Sequence, residues 1–356
     1  MIRLMKSLGL GLCHRRQPFF KVRINKQMCM LLQYQSSYIQ KIRLIQSLKD
    51  NNNVPNEILQ KACFALFFNF KPLVAEKQGG GYCIPWKRFN DISKLLRGLQ
   101  LVLLTTDSCT GNNTVNTPDE VSFAINIPSD KTLENEELTV FATEMRKAMF
   151  IMSQRDTDAL VQGYGLLKWH SVNNFCPNCG TKTNSDVVGS KRKCEACTQV
   201  NYPKMAPIII TLVTDEDKCL VIRQPTFPRG MFSALAGFCE IGETLEMSTR
   251  REVAEEVGLI VQHVQYQQSQ HWPFPNSGLM LGCYATIKPD TAHKMSLDEN
   301  ELEDAKWLSR DEVKYILQSN TRSEPAKPSI WFPPSSAIAH HLIKNWAFDS
   351  KADASS

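Results

Sequence analysis

Not one Asp or Glu occurs among the first 49 residues, which carry ten Lys and Arg. That bias, with apolar residues interleaved (MIRLMKSLGLGLCHRRQPFFKVRINK), is the composition of a mitochondrial transit leader. The apolar stretch LGLGL is too short for a secretory signal, and the remaining alternative is a basic tail or nucleic-acid arm. Long apolar runs are also missing. The longest candidate, LLRGLQLVLLTT from Leu95, falls well short of the roughly 20 residues of a membrane span and contains Arg97. No membrane partner is therefore expected. Internal repeats and long low-complexity tracts are absent as well. The net charge of +5 belongs to the leader: removing its ten cations from the 41 Lys and Arg leaves 31 against 36 Asp and Glu, a net of −5. A mildly acidic body argues against a general nucleic-acid binder.

What is present reads as a globular chain. Its 356 residues, 42% hydrophobic and 22% charged, leave room for two or three domains. Blocks fall at 1–49 (leader), 50–156 (an N-terminal α+β domain), 157–205 (a helix and a cysteine cluster), 206–346 (a strand-rich α/β domain) and 347–356 (a disordered polar tail). The first folded block mixes ACFALFFNF, QLVLLTT and VSFAINI with turn chemistry, and a helix is expected near Leu138–Ser153. TDALVQGYGLLKWHS reads as a second helix. Then PIIITLVT, DEDK and CLVIR form a hairpin pattern, and strands and helices alternate to SSAIAHHLIKNW, as in an α/β layered domain.

Twelve cysteines do not make a disulfide framework in so long a chain with such uneven spacing. Four have a better use. FCPNCG and KCEAC set Cys176-x₂-Cys179 and Cys194-x₂-Cys197 fourteen residues apart, two knuckles suited to one tetrahedral Zn²⁺ per chain. Four thiolates leave no open position, so such a zinc is structural; a redox dithiol pair or four buried thiols are the alternatives.

The stretch GFCEIGETLEMSTRREVAEEVGL from Gly237 crowds Glu252, Glu255 and Glu256 onto one helix face. Most such faces are merely wet, and like charges at this spacing cost roughly 0.2–0.5 kcal/mol per pair. Thr244 suits an N-cap, Gly258 a left-handed C-cap, and Val253 and Val257 a core face. Arg251 stands one turn before Glu255, where it can brace that carboxylate. Hard oxygens at close quarters suit Mg²⁺ or Mn²⁺, which offsets the repulsion.

The whole segment fits Gx₅Ex₇REUxEExGU at every fixed position: Gly237, Glu243, Arg251, Glu252, Val253, Glu255, Glu256, Gly258 and Leu259. It resembles the Nudix hydrolase signature. SQHWPFPNS (Ser269–Ser277), the cysteine knuckles and YPKMAP from Tyr202 resemble the NADH pyrophosphatase branch of that family, from about Leu160 to Trp346. The resemblance implies a Nudix α/β/α sandwich with a mixed sheet, preceded by a zinc ribbon and the N-terminal domain. It implies metal ligation by Glu252, Glu255, Glu256, Glu301 and the Ala236 carbonyl, with Arg251 and Glu243 in support. Gln270, His271, Trp272, Pro273, Phe274, Pro275, Asn276 and Ser277 would line a dinucleotide pocket, with Tyr202 and the Ala339 backbone contributing. His271 stands where the motif has proline, which would loosen the loop and add a titratable donor. The implied reaction is hydrolysis of the NADH or NADPH pyrophosphate to reduced nicotinamide mononucleotide plus AMP or 2′,5′-ADP, by a chain compatible with a homodimer. Rival readings are removal of an NAD cap from RNA and a non-catalytic zinc-ribbon binding protein.

Overall fold

A computed structural model describes residues 26–105, 120–129, 140–215, 217–288, 291–319 and 330–349, with side chains from residue 38 onward. The first part of the expected leader and the expected polar tail lie outside the described residues.

The N-terminal domain opens with α1 (Lys26–Asp50) and α2 (Asn56–Lys61). Strands β1 (Cys63–Phe68), β2 (Lys71–Glu76), β3 (Tyr82–Cys83) and β4 (Lys87–Arg88), helix α3 (Phe89–Ile92), and strands β5 (Leu101–Leu104), β6 (Ser122–Ile127) and β7 (Val140–Ala142) follow. They form a seven-stranded sheet in the order β3-β2-β1-β6-β5, with β4 on β1 and β7 on β2; β1 and β6 run parallel. Side chains alternate across a strand. Phe64 and Leu66 of β1 therefore enter a core with Ile45 and Leu48 of α1, while Ala65 and Phe67 enter another beneath α4 (Met145–Ile151) and α5 (Gln154–Val172). The leader expected through residue 49 thus overlaps a folded helix.

The helix expected near Leu138–Ser153 is shorter. Val140–Ala142 pairs with β2, the Thr143 amide donates to the Pro72 carbonyl, and Glu144 remains extended, so helix begins only at Met145. Ser153 then caps α5 through its side chain. The helix leads into a small antiparallel ribbon of β8 (Thr183–Ser185), β9 (Arg192–Cys194) and β10 (Val200–Asn201). Buried Arg192 ties the ribbon to α5, donating to the Thr183 oxygens and lying 3.2 Å from His170 Nδ1.

The remaining elements are β11 (Ala206–Asp215), β12 (Lys218–Arg223), β13 (Leu235–Phe238), α6 (Leu245–Val257), β14 (Val261–Trp272), β15 (Gly278–Ile287), β16 (Asp304–Ser309), α7 (Arg310–Ser319) and α8 (Ile338–Phe348). Their mixed sheet has the order β14-β15-β11-β12-β16, with β13 on β11 and a parallel β11–β15 pair at its centre. Period-two alternation builds both cores. Ile210 and Leu212 of β11 and Cys219 and Val221 of β12 pack under α7 and α8. Ile209, Val213, Leu220 and Ile222 pack under α6. This is the expected α/β/α sandwich, with one correction. SQHW belongs to β14, paired with β15 as far as Trp272–Gly278, so the loop that His271 was expected to loosen is only Pro273–Ser277.

Candidate active site and substrate cavity

The acidic helix is made by local chemistry. Thr244 Oγ1 accepts from the Met247 amide, and Gly258 closes the other end at φ 66°. Val253 and Val257 are fully buried and anchor one face beneath the sheet. The adjoining face carries the glutamates. Strand β13, paired with β11, carries Gly237 against that face, where an added Cβ would meet the Glu252 carboxylate carbon at 1.9 Å. Only glycine leaves that carboxylate its place.

Arg251 organises the cluster. Its Nε and Nη2 donate to the two Glu243 oxygens at 2.7 and 2.8 Å; Nη1 donates to Glu252 at 2.8 Å and Glu255 at 2.9 Å; Nη2 also reaches the Phe238 carbonyl. Glu243 additionally accepts from Ser248 Oγ and the Glu240 amide. The fork from Arg251, then these two bonds, hold the Glu243 carboxyl down at about 2. The same contacts raise the Arg251 guanidinium further.

Glu252 and Glu256 are only 8% and 2% exposed, whereas Glu255 is exposed. The three do not all face an open cleft, as the helical wheel alone suggests. Burial, more than Arg251 compensates, raises the Glu252 carboxyl. Glu256 is the extreme case. Burial first, then the charges of Glu252, Glu301, Glu255 and Asp298, push it up to about 8, and its Oε2 has no hydrogen-bond partner. The acidic turn before β16 closes on it, with the Asp298 amide donating to the Glu256 carbonyl and the Glu301 amide to that of Asp298. Asp298 was not foreseen; its signal is the acid-dense run SLDENELED. An orphaned buried oxygen beside several other carboxylates fits a hard divalent cation. Glu252, Glu255, Glu256 and Glu301 are the available donors, with Ala236 next to Gly237 on β13.

The cysteine cluster is compact. All four sulfurs lie within 4.8 Å of one another, and the Cys176–Cys197 and Cys179–Cys194 separations are 3.6 and 3.5 Å. A tetrahedral site with Zn–S near 2.3 Å needs sulfurs about 3.8 Å apart. Gly180, at φ 72°, turns the first knuckle. Among the described residues this is the only group of metal-ligating atoms drawn so close together; the glutamate oxygens are more widely spread.

A cavity of about 1260 Å³ lies where α5, the ribbon and the β14–β15 turn meet. Tyr202, Gln270, His271, Pro273, Pro275, Asn276 and Ser277 line it, together with residues of α5 and the start of α8. Trp272 and Phe274 do not. They pack against the N-terminal domain's core: Phe274 meets Tyr164 at 5.7 Å and Trp272 at 6.1 Å, and the Arg146 guanidinium lies 4.5 Å above its ring. Trp272 and Phe274, expected to line the dinucleotide pocket, thus pack partly buried between the two domains. Ala339 is buried and is not among the lining residues, although its neighbour Ile338 is. Gln270 is occupied within the protein, donating to the Ser336 carbonyl and accepting from the Ile338 amide at the start of α8. His271 does not loosen the turn. It is a strand residue 2.7 Å from Ser277 Oγ, and burial lowers the pKa of its imidazole. Gly165 of α5 leaves room for its ring. The glutamates lie outside this lining.

Residues 204–332 match the family model described as the NUDIX domain. The chain is 38% identical over 352 residues, covering 96% of itself and 97% of the other, to the Homo sapiens protein named NAD(P)H pyrophosphatase NUDT13, mitochondrial. It belongs to the Nudix hydrolases, in their NADH pyrophosphatase branch. The Mus musculus protein of the same name is 37% identical over 326 residues, 87% of this chain and 91% of that one. The Homo sapiens protein named NAD-capped RNA hydrolase NUDT12 is 39% identical over 230 residues, which is 62% of this chain and 48% of that one. Helix α6, with Arg251 as the hub of its acidic cluster, lies within the matched residues. Among the described residues no helix of this Nudix chain is long and apolar enough to cross a membrane.

Proposed function

We propose that the chain hydrolyses the pyrophosphate of reduced nicotinamide dinucleotides, NADH and NADPH, to reduced nicotinamide mononucleotide plus AMP or 2′,5′-ADP. The observation that carries this reading is Glu256, a buried carboxylate with an unpartnered oxygen facing other acids in a Nudix helix. The names of the two relatives matched along most of the chain support the dinucleotide as substrate.

Glu252, Glu255, Glu256 and Glu301, with the Ala236 carbonyl, would hold Mg²⁺ or Mn²⁺. A bound divalent cation supplies charge neutralisation for the diphosphate and a lower pKa for attacking water. The chain's own residues prepare for that. Arg251 fixes the Glu252 and Glu255 carboxylates by charge-assisted hydrogen bonds, and Glu243 fixes Arg251. Gly237 leaves the volume that Glu252 fills. Burial beside other carboxylates raises the Glu256 carboxyl to about 8 without a cation, so a bound divalent cation would stabilise its ionised form and release its proton. The cavity beside β14 would hold the dinucleotide, with exposed Tyr202 offering a ring and Asn276 and Ser277 polar contacts.

Zn²⁺ in the ribbon is a structural staple in this reading, supported by the sulfur spacing. A mitochondrial location is supported by the acid-free, basic leader and by the relatives' names. Removal of NAD caps from RNA is the second reading, favoured by a relative matched over 62% of the chain. The deciding assay is release of AMP from NADH with Mg²⁺ or Mn²⁺, beside NAD-capped RNA at equal concentration. AMP release from NADH, abolished in Glu256→Gln, supports the proposal. An inert wild type, or a preference for capped RNA, overturns it.

A further inference from the structure

The hairpin joining β1 to β2 turns at Asn69 and Phe70, both left-handed, at φ 48° and 63°. Two positive φ values define the turn that suits a right-twisted hairpin, and its second central position strongly favours glycine. A phenylalanine in that place is strained, and its backbone is held by its amide donating to Asn126 Oδ1. The strain has a visible result. The Phe70 ring lies under the Lys168 ammonium, 3.9 Å from its centroid, with the Tyr164 ring 5.8 Å away on the same helix.

Lys168 is half-buried, lines the cavity, and forms no ion pair among the described residues. Lys204, exposed at the ribbon's exit, lines the same cavity. The one carboxylate in the lining is Asp158, ten residues before Lys168 on α5, or about 15 Å along the helix axis. Asp158 is exposed and accepts from Gln154 Nε2. Lys168 is thus a cation of the lining with no ion-pair partner among the described residues, partly withdrawn from water and held on an aromatic face. Such a site calls for a dianionic group.

We propose that Lys168, cradled on Phe70 and assisted by Lys204, forms a subsite for a ribose phosphomonoester, so that the chain selects NADPH over NADH through the 2′-phosphate. This rests on the dinucleotide reading above, and names the member of that substrate class for which the cavity is built.

Two measurements test it separately from that reading. The first is calorimetric binding of 2′,5′-ADP and of AMP to the full chain without divalent metal, so that no turnover is involved. At least tenfold tighter binding of 2′,5′-ADP is expected, with the discrimination shrinking several-fold in Lys204→Gln, an exposed position whose substitution does not threaten folding. Equal affinities in the wild type overturn the subsite. The second is the ratio of kcat/KM for NADPH to that for NADH. Lys168→Gln is expected to lower the ratio about tenfold, mainly through KM for NADPH, and Lys168→Arg to restore most of it. A ratio unchanged within twofold overturns the proposal, whatever happens to the absolute rates. If 2′,5′-ADP is discriminated but neither dinucleotide is cleaved, the subsite stands and the pyrophosphatase reading falls. If both are cleaved without discrimination, the reverse holds.

Discussion

At Glu256, two demands on one side chain meet. Burial among acids raises its pKa to about 8, so at neutral pH the metal-free protein holds a proton that the unfolded chain, with an ordinary value of 4.5, has released. The sign follows from linkage: a carboxyl raised on folding makes stability fall as pH climbs from about 4.5 to about 8. Glu256→Gln removes that dependence, so the metal-free variant is expected to melt at or above the wild-type temperature at pH 7.5 while kcat drops roughly 10²- to 10⁴-fold. A thermal scan with EDTA beside an NADH assay checks both halves. Glu243 behaves oppositely. Its carboxyl is held at about 2 by Arg251, so its contribution is complete above about 4.5 and is lost as pH falls toward 2. Glu243→Gln should flatten that acid limb of the melting profile and lower kcat by freeing Arg251. Gly237→Ala should cost activity to a similar degree, since its methyl enters the volume of the Glu252 carboxylate.

Among the elements, the β14–β15 connection best separates sequence legibility from structural outcome. WPFP was readable as a stiff aromatic turn, but the direction in which its rings point depends on what lies behind them. Phe67 and Leu160, far away in sequence, supply the apolar wall that Trp272 and Phe274 join. Their burial makes them docking residues. Phe274→Ala is therefore expected to destabilise the protein by about 2–4 kcal/mol, at the low end for a buried aromatic because the ring is only partly covered. Denaturant unfolding measures it, and a loss below 0.5 kcal/mol would contradict the docking role. The acidic helix was legible almost whole. Cap, glycine stop, core face and brace all follow from spacing within 23 residues, because helix chemistry is local. The fork from Arg251 to Glu243 was not, since it needs the loop to fold back over eight residues.

For the whole molecule, the question is where the folded body begins. Ile45 and Leu48 are buried against the N-terminal sheet, in the core that also contains Phe64 and Phe123. A chain beginning at Asp50 loses both, a cost of about 1.5–3 kcal/mol for each side chain. It should melt lower and aggregate sooner than one beginning at Lys26. Equal melting temperatures would support the boundary near residue 49 read from charge composition. The ribbon is the other global joint, because Arg192 and His170 couple it to α5, which borders the cavity along its length. Chelation of a ribbon metal should therefore impair dinucleotide affinity as well as the ribbon's own fold, measurable as a raised KM before activity disappears.

The amino-acid sequence alone determined the Nudix helix, the thiol knuckles and the alternating strands of the sandwich, since each depends on residues within a turn or a strand of one another. Tertiary structure decided which glutamates are buried, that Trp272 and Phe274 face a domain core, and that Phe70 lies under Lys168. Those outcomes depend on segments up to about two hundred residues apart, and on burial, which no local spacing encodes.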